Sequence, residues 1–88
     1  SKHHTEGDTR RWTVSYEDWL DNAAMIEQAD VESSSPNCTV SNVEISGPRI
    51  IFLLTGGTLN ERVTVTLTMS DNFDNIKHDT ISFTVVSA

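Results

Sequence analysis

Period-two alternation over the second half of this chain most constrains its fold. Val63, Val65, Leu67 and Met69 alternate with Thr64, Thr66, Thr68 and Ser70. Ile81, Phe83 and Val85 alternate with Ser82, Thr84 and Val86. A half-buried antiparallel strand needs this pattern, with apolar side chains on one face and hydroxyls on the other. The Asx-rich segment Asp71-Asn72-Phe73-Asp74-Asn75 separates the two runs, so they read as one long hairpin.

Upstream, Arg10 to Tyr16 alternates Trp12, Val14 and Tyr16 against Arg11, Thr13 and Ser15, which predicts a first strand. Glu17 to Asp21 reads as a tight turn that carries Trp19 and Leu20 into one end of the core, and Asp21 to Ala24 completes a loop. A helix over Glu17 to Gln28 is the competing reading, since its apolar residues fall at helical spacing behind an acidic first turn. Ile26 to Ser33 predicts a weak strand near an edge, with Ala29 and Val31 inward. Ser33 to Asn37 is a turn cluster. Cys38 to Ile45 predicts a strand whose inward set shifts from Cys38 and Val40 to Val43 and Ile45, which calls for a bulge near Ser41-Asn42. Arg49 to Leu54 is apolar on both faces, so one face belongs to the core and the other needs cover from the arm, a loop or a partner chain. Gly56-Gly57 supplies positive-φ positions for a tight reversal.

These signals predict an all-β chain: an antiparallel β-sandwich of six to seven strands with a flexible N-terminal arm. Residues 1–9 form the arm and residues 10–88 the sandwich domain in this reading. At 88 residues the chain supports one modest core. Cys38 is the only cysteine, which excludes an intrachain disulfide and favours assembly in a reducing cytosol. No apolar run is long enough to span a membrane, and the N-terminus lacks a signal-peptide core, so neither insertion nor export is expected.

The net charge of −7 is unevenly placed: residues 12–48 hold seven carboxylates and no Lys or Arg. Such a body repels phosphate backbones, and no nucleic-acid partner is expected.

No constellation of side chains points to catalysis, to a cofactor or to a metal. His3 and His4 lack a third ligand nearby in sequence. Phe73 stands where a calcium loop needs an oxygen donor, so Asp71 to Asn75 reads as an Asx turn. His78 and Asp79 are strand neighbours and point to opposite faces. Cys38 has no basic neighbour in sequence to activate it and reads as a small buried hydrophobe. Asn37-Cys38-Thr39 matches a glycosylation sequon by letters, without a secretory signal. Trp12, Tyr16 and Trp19 suit a core corner, with a sugar-binding platform as the alternative.

Asp18-Trp19-Leu20, Ile26, Leu53-Leu54-Thr55-Gly56-Gly57, Val63-Thr64-Val65-Thr66 and the closing Ile81-Ser82-Phe83-Thr84-Val85 together resemble small Ig-like proteins and domains of tailed bacteriophages. The resemblance covers roughly residues 12–86. Val63 replaces an aromatic common after the Gly-Gly turn, and Asp71 to Asn75 replaces a simpler Gly-containing turn. The resemblance implies a non-enzymatic virion structural protein, assembled in the host cytoplasm. The implied type is a capsid decoration (cement) or head-fibre protein, and its leading form is a decoration protein on the outer surface of the head. The alternatives are a carbohydrate or host-surface adhesion module, or a neck or tail accessory protein. The implied partners are the major capsid protein or other virion proteins, with a homo-oligomer left open and no membrane. The docking residues expected are Lys2, His3, His4, Arg10 and Arg11 from the arm and its root, and Arg49, Ile51 and Leu53 from the two-faced apolar strand.

Overall fold

The computed structural model describes residues 2–21 and 23–88; Ser1 of the expected arm and Asn22 of the expected loop lie outside the described residues. Seven strands form two sheets: β1 (Lys2–Thr5), β2 (Thr9–Ser15), β3 (Ile26–Ser33), β4 (Cys38–Ser46), β5 (Arg49–Gly56), β6 (Arg62–Asp71) and β7 (Ile76–Val86). One sheet has the order β1-β7-β6-β3 and the other β2-β5-β4. This is the Ig-type division, with the first strand on the sheet that holds the closing hairpin.

The alternation read from the sequence becomes the core. Val63, Val65, Leu67 and Met69 of β6 and Phe83 and Val85 of β7 face Ile50, Phe52 and Leu54 of β5, all essentially solvent-free. The hydroxyl residues of β6 line the outer face, where Thr68 is opposite His78 and Thr64 opposite Ser82. The Glu17–Leu20 segment is a turn, not a helix: Leu20 N–H donates to the Tyr16 carbonyl at 3.1 Å, and Trp19 and Leu20 pack on the core. Asp71 closes the long hairpin by accepting the Phe73 and Asn75 N–H groups on Oδ1, each at 2.9 Å. This is an Asx turn, since one carboxylate oxygen satisfies two backbone donors that the reversal leaves free.

Three expectations need correction. The N-terminal segment is not a free arm over residues 2–5: it is β1, paired parallel to β7 with His4 opposite Val85. Its polar composition hides the strand, because only His4 turns inward and the edge position leaves its neighbours exposed. Gly56 and Gly57 do have positive φ (94° and 103°), but they carry the chain from one sheet to the other and not around a hairpin. An added Cβ at Gly56 would sit 2.5 Å from the Asn37 carbonyl oxygen, so this crossing excludes a side chain there. Val43 and Ile45 are not sealed in the core; they are 38% and 40% exposed. The expected bulge is present, as a register shift between Ser41 and Glu44 with Asn42 at φ 51°. Ile45 is opposite the buried Ile50 and so lies on the inner side, but β4 is an edge strand and nothing described closes over it.

Candidate functional site

Two surfaces stand out, and they differ in charge. The first is the outer face of the three-stranded sheet. Arg11 and Thr13 of β2 are opposite Leu53 and Ile51 of β5, and Arg49 is opposite Ser15. Ile51 and Leu53 are half-buried, flanked by exposed Arg11, Arg49 and Glu44. The N-terminal segment does not cover them, because β1 belongs to the other sheet.

Of the residues expected to dock, Arg11, Arg49, Ile51 and Leu53 therefore share one face. Lys2 and Arg10 gather instead around Trp12, with Lys2 Nζ 5.6 Å and the Arg10 guanidinium carbon 5.1 Å from its ring centroid. Both distances suit a cation–π contact. Trp12 meets Phe83 edge-on, with ring centroids 4.9 Å apart. His3 is exposed on β1. His4 is not available to a partner: it is 1% exposed, its Nε2 lies 3.2 Å from the Asp8 carbonyl oxygen, and its Nδ1 has no protein partner.

The second surface was not anticipated. Strand register brings residues 17–21 and 23–24, the Gly47-Pro48 turn and the Asp71–Asn75 turn to the end of the sandwich opposite β1, as Tyr16 N–H bonded to the Pro48 carbonyl and Ile26 opposite Asp71 require. That end holds Glu17, Asp18, Asp21, Glu27, Asp71 and Asp74 against Arg49 and Lys77. The β1 end is nearly balanced, with Lys2, Arg10, Arg11 and Arg62 against Glu6, Asp8 and Glu61. The molecule, 42 Å long and 18–19 Å across, is thus electrically polarised along its long axis. Four of its large apolar side chains, Met25, Ile45, Phe73 and Ile76, are exposed at or near the acidic end. Met25 is held there by its N–H donating to Asn72 Oδ1 at 2.7 Å and its carbonyl accepting Asn72 N–H at 3.0 Å. The sequence signal was the cation-free stretch 12–48; what it lacked was the register that assembles the patch.

The remaining chemistry-bearing groups serve the fold. Cys38 is fully buried, and burial together with the nearby Glu61 charge pushes its thiol pKa up, away from reactivity. Glu61 in turn accepts the Ser35 hydroxyl at 2.5 Å and the Thr58 N–H at 3.2 Å. His78 and Asp79 lie on opposite faces: His78 Nδ1 is 3.2 Å from Thr68 Oγ1, while Asp79 Oδ2 accepts the Tyr16 hydroxyl at 2.9 Å. Tyr16 is buried, and Trp12 and Trp19 are half-buried against the core, so the three rings do not form one open platform.

The sandwich thus offers two contrasting surfaces for contact. The family model of the podophage GP4 fiber-tail adaptor protein gp77 matches residues 5–85. The chain belongs to the gp77 family. The match runs from the end of β1 to the end of β7, so the family similarity covers both sheets. No curated protein matches the chain. As a member of the gp77 family it is a phage virion structural protein, assembled in the host cytoplasm, and it contacts other virion proteins.

Proposed function

We propose that this chain is an adaptor that joins a fibre to the tail of a phage. The observation that carries this reading is the family match across nearly the whole sandwich. It favours the tail-accessory alternative over capsid decoration, which the sequence resemblance had put first. The two surfaces divide the task. The outer face of the three-stranded sheet offers Ile51 and Leu53 between Arg11 and Arg49, and exposed Lys2, His3 and Arg10 extend that basic side along the neighbouring edge. The acidic end offers exposed apolar side chains beside carboxylates. A linker between two unlike partners needs two unlike surfaces, and charge complementarity at the acidic end favours one kind of partner over the other.

The test is assembly of phage particles with and without this chain. Particles lacking it should have complete heads and tails but no attached fibres, and added protein should restore attachment. Fibres that stay attached, together with heads that lose stability, would return the protein to the capsid surface.

A further inference from the structure

Two open grooves meet at Ile45. One, of about 600 Å³, runs along β3, from Glu27 to Asp30, to Met69 and Ile76. The other, of about 490 Å³, is lined by Glu17, Leu20, Asp21 and Ala24 and reaches Met25 and Pro48. Ile45, Met25 and Ile76 are 40%, 63% and 65% exposed. So much uncovered apolar surface in one place marks an interaction site more often than chance.

β3 is the end strand of the four-stranded sheet, paired only with β6. Beyond its bulge between Ile26 and Gln28 the register to β6 is regular as far as Ser33, so its outer edge presents an ordered row of backbone donors and acceptors. Edge strands are commonly guarded by charged side chains, by Pro or by bulges. β3 has no Pro and its bulge is confined to Ile26–Gln28; its charges, the exposed Glu27, Asp30 and Glu32, are all of one sign. Carboxylates repel an acidic strand, and that includes a second copy of this chain at net charge −7. They do not repel a basic one.

We infer that the β3 edge accepts an extended, basic segment of a partner virion protein, added as a further strand of the four-stranded sheet. Lys or Arg side chains of the segment meet Glu27 and Asp30, and the alternating apolar side chains turn inward and cover Ile45. Main-chain hydrogen bonds supply affinity in this mode, and the alternating side chains supply selectivity. The inference rests on the adaptor reading only for the partner's being a virion protein.

The test uses the full chain and a fluorescein-labelled peptide of alternating lysine and valine, followed by fluorescence anisotropy. Matched probes are a glutamate–valine peptide and a lysine–valine peptide with alternate amides N-methylated. The lysine–valine peptide should bind and weaken as salt rises, and both matched probes should fail. The double variant Glu27→Lys with Asp30→Lys, exposed and checked for folding by circular dichroism, should bind roughly tenfold more weakly. Ile45→Ser should weaken binding as well, while Arg62→Glu at the opposite end should not. Equal binding of the glutamate or N-methylated probe, an unchanged double variant, or wild-type self-association that the double variant abolishes would each overturn the inference. A chain found on the head that still binds the lysine–valine peptide removes the adaptor reading and leaves the strand-addition site. A chain found at the tail that ignores the peptide does the reverse.

Discussion

The Tyr16 hydroxyl donates a 2.9 Å hydrogen bond to Asp79 Oδ2 and so ties the two sheets together. Tyr16 follows β2 of the three-stranded sheet, and Asp79 lies on β7 of the other, opposite the buried Leu67. An inward carboxylate at that position needs a donor, and the phenol supplies it. Tyr16→Phe removes the donor and leaves Asp79 half-buried without it; the expected cost is about 1–2 kcal/mol, read as a lower urea midpoint.

The same pair sets the response to alkali. Burial, then the bond to Asp79, then the Asp79 charge push the Tyr16 pKa well above its ordinary 10.0. The folded state therefore holds its proton where the unfolded state releases it. The stabilisation is complete below pH 10, and it is lost progressively as pH rises from there toward the folded-state value. Tyr16 is the only tyrosine, so phenolate absorbance reports this group alone. The absorbance should rise together with unfolding, and Tyr16→Phe should flatten the alkaline limb of the stability curve. Phenolate formation near the ordinary value in the intact fold would contradict this.

Asp71 governs the acid side. Burial alone would raise its carboxyl pKa, but the Asn75 side chain and the Asn75 and Phe73 backbone N–H groups outweigh burial and hold it below the usual carboxylate range. Its contribution is thus fully present above the ordinary value of 3.8 and is lost as pH falls below it. Asp71→Asn should lower stability at neutral pH and make the acid limb shallower, as measured by urea midpoints across the acid range.

β1 gives a further expectation. His4→Ala empties a buried position against β7 and removes the contact with the Asp8 carbonyl, at an expected cost of about 1–3 kcal/mol. Because Lys2 on the same strand lies over Trp12, tryptophan fluorescence should shift toward the value for water-exposed indole. An unchanged midpoint and spectrum would mean that residues 2–5 contribute nothing to the fold.

Strands with enough length to show a period were legible in the residues themselves. β6 and β7 could be read from their alternation, and the β4 bulge from its break at Ser41-Asn42. β1 could not, because four residues with one inward side chain carry no period, and parallel pairing with the far end of the chain leaves no local mark. The basic face was half legible: Arg11, Arg49, Ile51 and Leu53 do come together, while Lys2 and Arg10 turn to Trp12 and His4 goes inside. The acidic groove was not foreseen, because Met25, Ile45 and Ile76 lie on three different strands or loops and only the register makes them neighbours.

The position of this chain in intact particles tests the adaptor account most directly. Gold-labelled antibody against the chain, viewed by electron microscopy, should mark the junction of fibre and tail and leave the head bare. Label spread evenly over the capsid lattice, with none at the tail, would contradict it.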